Sequence, residues 1–169
     1  SVIGVNIMSN SWGGGSFSEA LEEAISNASA KGIIFVAAAG NRGADNDKED
    51  HYPSDYEVEN IISVAAHSID DQIASFSSYG KNSVEIIAPG DGIISTKPGN
   101  GYQELSGTSM ATPHVTGAIG LLLSYLNGPI THDELRQRIL LTANPVKAYK
   151  RKVMAKGRLS AYNLLMDIH

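Results

Sequence analysis

The sequence predicts an α/β fold, a mainly parallel sheet with helices on both faces. Three features near the N-terminus carry this expectation. Residues 16–31 place Leu21, Ala24, Ile25 and Ala28 at helical intervals, with the acidic side chains on the other face. The next run, Ile33, Ile34, Phe35, Val36, Ala37, Ala38 and Ala39, is continuously apolar and too short for a typical helix, as expected of a strand buried on both faces. With the Val- and Ile-rich run at residues 2–8, this makes strand, helix and buried strand, a parallel crossover unit.

Taken in order, the first strand is expected over residues 2–8, closed by the turn-formers Ser9, Asn10 and Ser11. The turn Gly13, Gly14, Gly15 follows, and Ser16 with Glu19 has the spacing of a capping box that would start the first helix. Lys31 and Gly32 end it. Residues 40–59 are polar and turn-rich, then 61–66 and 84–88 read as further strands, the latter running into Pro89 and Gly90. Residues 93–96 and 102–105 flank Pro98, Gly99, Asn100 and Gly101, a hairpin signal. The longest helical stretch, 109–126, is apolar on nearly every face, which places it in the middle of the molecule. Thr131 caps an amphipathic helix through Leu135, Ile139 and Leu140, and residues 160–168 offer a short last helix. No internal repeat or domain boundary interrupts the 169 residues, which read as one domain-sized unit.

Composition narrows the function. Thirteen Lys plus Arg stand against 18 Asp plus Glu, for a formal net charge of −5, and cysteine is absent. A disulfide scaffold, a thiol enzyme and a cysteine-ligated zinc site are therefore excluded. An acidic chain without a dense basic stripe is a poor nucleic-acid binder. The most apolar stretch, 118–126, is far shorter than the roughly 18 residues needed to span a membrane. The first residues carry no basic start and no cleavage signature.

The chemistry concentrates where Gly107 delivers Ser109 to the start of the long helix. Unpaired backbone N–H groups and the positive end of the helix dipole lie there, suited to stabilising an oxyanion formed when a hydroxyl attacks a carbonyl. The same position also suits a serine that merely caps the helix.

The string Gly107, Thr108, Ser109, Met110, Ala111, Thr112, Pro113, His114, Val115 resembles the serine signature of the subtilisin-like serine proteases without a substitution. Residues 6–14 resemble that family's substrate-binding strand and residues 36–41 its oxyanion segment. Tyr52-Pro53-Ser54, residues 62–66 and 74–80, Ala88-Pro89-Gly90 and residues 157–161 follow in the family's order, so the likeness spans essentially the whole chain. It implies a serine endopeptidase with Ser109 as nucleophile and Asn41 as side-chain donor to the oxyanion, aided by the Ser109 N–H. Ser11, Trp12 and Gly13 would line one wall of the main specificity pocket and Ala38, Ala39 and Gly40 the other, small residues that would admit a large apolar side chain. Trp12 would shape the adjacent subsite.

The resemblance also implies what is missing. The family's Asp and His precede the point where this chain starts, so the sequence looks like the C-terminal part of a catalytic domain. A companion N-terminal segment carrying both is expected, and without it an inert fragment or pseudo-protease that binds extended peptides by strand addition is the alternative. A cut parallel sheet would expose an edge and apolar helix surface. His114 lies five residues past Ser109 on another helix face and is a structural residue of the motif. His51, His67, His132 and His169 read as solvated or packing histidines. No cofactor is required. Calcium is conceivable as a structural ion at Asp45, Asp47, Glu49 and Asp50, although the loop lacks a recognised calcium pattern and reads first as solvated. Lys147, Lys150, Arg151, Lys152, Lys156 and Arg158 form a diffuse basic face. Family likeness points to a secreted protein acting on peptides or proteins.

Overall fold

The computed structural model of the chain describes residues 4–126 and 128–169. Six strands form one sheet in the order β1 (Ile7–Asn10), β2 (Ile34–Ala38), β3 (Ile61–His67), β4 (Ile86–Pro89), β8 (Gly157–Arg158) and β7 (Asn144–Pro145). All neighbours pair in parallel except β7 with β8. A separate antiparallel hairpin, β5 (Ile93–Lys97) and β6 (Gly101–Leu105), sets Ile93 opposite Leu105, as its turn residues predict.

The strand period of two explains the layers. Ile34, Val36, Ile62, Val64, Ile86 and Ala88 point to one face, where α2 (Thr108–Tyr125), α3 (His132–Thr142) and α4 (Ala161–Met166) cover them through Val115, Ile119, Leu122, Ile139 and Leu164. Phe35, Ala37 and Ile61 point to the other, against Ile25 of α1 (Glu19–Ser29) and Tyr56. Ile87 and Ala65 meet Tyr149 and Val153. Both faces being covered, β2 and β3 are buried at every residue, which is why they carry no alternation. Each fully buried Ile or Leu here contributes at most about 1.5–3 kcal/mol relative to exposure.

Three expectations are corrected. Val2 and Ile3 of the expected first strand lie outside the described residues, and Ser9 and Asn10 belong to β1 rather than ending it. Asn10 is buried because its Nδ2 donates to the carbonyls of Met8 (3.1 Å) and Val36 (3.4 Å), and Ser9 Oγ accepts from Thr116 Oγ1 on α2 at 3.0 Å. The cap of α1 is Ser18, not Ser16, its hydroxyl accepting from Leu21 N. The long helix is buried on one side only: Ala111, Val115, Ala118, Ile119 and Leu122 face the sheet, whereas Pro113, His114, Leu121 and Tyr125 are exposed. The outer edge of β1 is likewise unpaired among the described residues. No described helix is long and apolar enough to cross a membrane.

Candidate active site

The carboxyl ends of parallel β1, β2 and β4 converge on the start of α2, the end of a parallel sheet at which ligands are ordinarily bound. Two glycines make the convergence possible. Gly40 turns the chain off β2 at φ +107°, a conformation that side chains rarely adopt, and so presents Asn41. Gly90, just past β4, leaves no room for a Cβ, which would lie 2.8 Å from the Gly107 carbonyl oxygen; the Gly107 N–H donates to the Gly90 carbonyl at 2.8 Å. This contact aims the first turn of α2 at Asn41.

Gly107 is the N-cap of α2, so Ser109 sits within the first turn and does not itself cap the helix. Asn41 supplies the missing cap from 67 residues away: its Oδ1 accepts from the Thr108 N–H at 2.8 Å and from Thr108 Oγ1 at 3.0 Å. An N–H can only donate, so the atom facing Thr108 must be the amide oxygen, and Nδ2 is thereby the end left to donate elsewhere. Thr108 Oγ1 in turn accepts from the Gly40 N–H at 3.2 Å. Met110 N is bonded to the Gly107 carbonyl. The Ser109 N–H is therefore the remaining donor of the first turn beside the Asn41 amide. Thr108 has no role in the sequence reading, although it lies inside the motif; its function emerges only from its contact with Asn41.

Ser109 Oγ donates to the carbonyl of Ser11 at 2.9 Å, and Ser11 Oγ donates back to the carbonyl of Ser109 at 2.8 Å. The latter carbonyl is free to accept because residue 113, its usual partner in an α-helix, is a proline without an N–H. The histidine of the motif is directed elsewhere: His114 Nδ1 donates to its own helix at the Met110 carbonyl, 2.9 Å away.

A cavity of about 370 Å³ opens beside Ser109 and Asn41, walled by Trp12, Gly13, Ala38 and Gly40, with Trp12 half-exposed at its rim. Of the remaining expected wall residues, Ser11 is tied to Ser109. Ala39 is turned away: its methyl packs with Ala65 and Ile87 in the core and its carbonyl accepts from Asn46 Nδ2 at 3.0 Å. Arg42 and His51 line the cavity as well, and neither stands among the expected site residues. The ring of His51 lies against Gly13 and Gly40, so an imidazole occupies the space between these two glycines. Burial, and secondarily the charge of Arg42, hold the His51 pKa below its ordinary value.

Of the other histidines, His67 and His132 hold structural contacts and His169 is exposed. His67 ends β3 with Nδ1 at 2.7 Å from the Ser68 carbonyl, and His132 opens α3 with Nδ1 3.4 Å from Ser29 Oγ. In the acidic loop, protein donors hold oxygens of three of the four carboxylates. Asp45 pairs with Lys48 at 2.8 Å, Asp47 accepts from Asn82 and Ser83, and Asp50 accepts from Tyr52 OH. Among the described residues no three His, Asp or Glu side chains gather as a metal site. In the basic face, Arg158 pairs with Asp71 at 2.9 Å and Lys152 lies over the Tyr79 ring.

Comparison with known proteins adds an independent line. The model of the Subtilase family matches residues 3–161. Subtilisin DY of Bacillus licheniformis is 42% identical over 141 residues, 83% of this chain and 50% of that protein. Thermitase of Thermoactinomyces vulgaris is 41% identical over 159 residues, 94% of this chain and 53% of its own. A solved mutant of the protease domain of PatA superposes with a TM-score of 0.82 at 32% identity, covering 98% of this chain and 60% of that one. The chain thus spans about half the length of these curated relatives.

Proposed function

Because the chain belongs to the subtilase family, we propose that it is the nucleophile-bearing part of a serine endopeptidase, completed by an N-terminal segment that brings a histidine base and an aspartate. In this reading Ser109 Oγ attacks the peptide carbonyl while its proton passes to the histidine. The oxyanion so formed takes hydrogen bonds from Asn41 Nδ2 and the Ser109 N–H. Collapse expels the amine, which leaves with the proton from the histidine, and water then releases the acyl group from Ser109. These steps draw on protein groups alone, with no cofactor.

The observation that carries this reading is the orientation of the Asn41 amide, its oxygen locked by Thr108 and its nitrogen left as a donor next to the first turn that holds Ser109. The unpaired edge of β1 and the exposed side of α2, with Leu121 and Tyr125, support a companion segment that covers them. Action on extended peptides or proteins, and export from the cell, belong to the same reading through the family resemblance.

The test is intact-mass spectrometry after a fluorophosphonate probe, on this chain alone and on the protein including the preceding segment, with Ser109→Ala as control. An adduct on Ser109 in the longer protein, absent from the control, is expected. A longer protein that stays unlabelled while binding peptides would instead establish the inert peptide-binding module. One observation favours that second reading for the chain by itself: Ser109 Oγ is bonded to a carbonyl, not to a base.

A further inference from the structure

One side chain in the cleft takes no part in the chemistry above. The loop from β2 to β3 comes back at residue 51 and lays an imidazole between the two walls. A Cβ built on Gly40 would stand 3.1 Å from Cγ, Cδ2 and Cε1 of His51, so Gly40 meets the face of the ring. A Cβ on Gly13 would collide with Nε2, so Gly13 meets its edge. Both walls are glycine where the ring touches them, and an alanine at either position would displace it.

The loop is pinned at this point through its backbone. His51 N donates to Asp55 Oδ2 at 2.6 Å, Ser54 Oγ donates to the His51 carbonyl at 2.5 Å, and Gly14 N donates to the Tyr52 carbonyl at 2.8 Å. Pro53 and Ser54 are buried behind it. The last of these bonds ties the loop to the Gly13–Gly14 wall itself, so ring and wall are held as one unit.

We propose that His51 is a specificity-determining residue: its ring fills the slot between Gly13 and Gly40 and limits the side chain on the acyl side of the scissile bond to small uncharged ones such as Gly, Ala or Ser. This rests on the protease reading, which makes the cleft beside Ser109 the place where that side chain is seated. A benzyl or isobutyl group would need the volume the imidazole holds. An acidic side chain would find there an uncharged ring at neutral pH and otherwise only the exposed Arg42, and an ion pair in water contributes little.

The experiment measures binding apart from turnover. Fluorescent tetrapeptides ending in a free carboxylate after Ala, Phe or Asp are titrated into the protein with its preceding segment, carrying Ser109→Ala alone or with His51→Ala or His51→Leu. With His51 present, the Ala peptide is expected to bind at least about 10-fold more tightly than the Phe peptide, the order of discrimination a pocket achieves by volume. His51→Ala is expected to raise affinity for the Phe peptide about 10-fold or more, and His51→Leu, which keeps the bulk without the nitrogens, to retain the original preference. Tightest binding of the Phe peptide with His51 in place, tightest binding of the Asp peptide, or a preference unmoved by His51→Ala would each overturn the proposal. Peptide turnover by the Ser109 protein is followed in parallel. Selective binding without turnover sinks the protease reading alone, and turnover without His51-dependent selectivity sinks this inference alone.

Discussion

Ser11 and Ser109 exchange two hydrogen bonds, each hydroxyl donating to the other residue's backbone carbonyl at 2.8–2.9 Å. The pair straps the loop after β1 to the first turn of α2, and so sets how far the Trp12–Gly13 wall stands from the Ser109 hydroxyl. Ser11→Ala removes one of the two bonds without touching the reacting hydroxyl. In the complete enzyme KM for a peptide substrate is expected to rise roughly 3- to 10-fold, the worth of about one hydrogen bond, while kcat stays within about twofold. Steady-state kinetics decide it, and a fall in kcat with KM unchanged would show that the strap serves the chemical step instead.

The Asn41 amide does two jobs with its two ends, and substitutions separate them. Asn41→Asp keeps an oxygen for Thr108 but loses the donor, so the fold is expected to hold while the proposed peptidase activity is lost. Loss of the corresponding amide in subtilisin costs about 10²–10³ in kcat, a value measured on that enzyme and carried over here. Asn41→Ala loses both ends and is expected to reduce kcat comparably and to lower stability by about 1 kcal/mol, since the Thr108 N–H loses its partner. Thr108→Val leaves the amide one donor fewer to orient it, so kcat is expected to drop by about 10-fold with KM little changed, the mark of a positioning residue. Urea midpoints alongside kcat give the answer; equal stability losses in Asn41→Asp and Asn41→Ala would refute the capping role.

These residues show what the sequence reveals and what it withholds. β2 was legible because a strand covered on both faces needs apolar residues throughout, and the run from Ile34 to Ala38 has nothing else. Ser109 was legible because Gly107 delivers it to the start of a long apolar helix within a string that resembles the family's serine signature, and Asn41 only through that resemblance. The start of α1 was not, since Ser16, with Glu19 three residues on, is locally the better cap. The choice is made 38 residues away, where the Tyr56 hydroxyl accepts from Ser18 N and donates to the Ser18 carbonyl, both at 3.1 Å. Thr108 and His51 are hidden for the same reason. Their roles lie in contacts with Asn41, Gly13 and Gly40, and no spacing along the chain encodes how the 40–59 loop returns to the cleft.

The core behind the sheet carries a titratable group that no step of the proposed reaction uses. Glu85 is buried beside β3, Oε2 accepting from the Ser63 N–H at 2.8 Å and Oε1 lying 3.4 Å from Arg136 Nε. Burial pushes its pKa up to about 7, outweighing the opposing pull of Arg136 and of the Ser63 N–H. Asp55 is likewise raised to about 6 by burial, in spite of its donors from His51, Ser54 and Asn46. A carboxyl whose folded pKa exceeds its unfolded value holds its proton more tightly when folded. Its contribution to stability is therefore full below the unfolded pKa near 4.5 and is lost as pH climbs through about 7, after which it stays flat. Glu85→Gln keeps an acceptor for Ser63 and removes the titration. Relative to the parent, the variant is expected to gain stability between pH 4 and pH 8, by at most about 3 kcal/mol given about 1.4 kcal/mol per pKa unit. Urea unfolding of the complete protein at pH 4, 6 and 8 measures this gain directly. A difference between the two proteins that does not change with pH would mean that Glu85 stays ionised in the fold, held by Arg136.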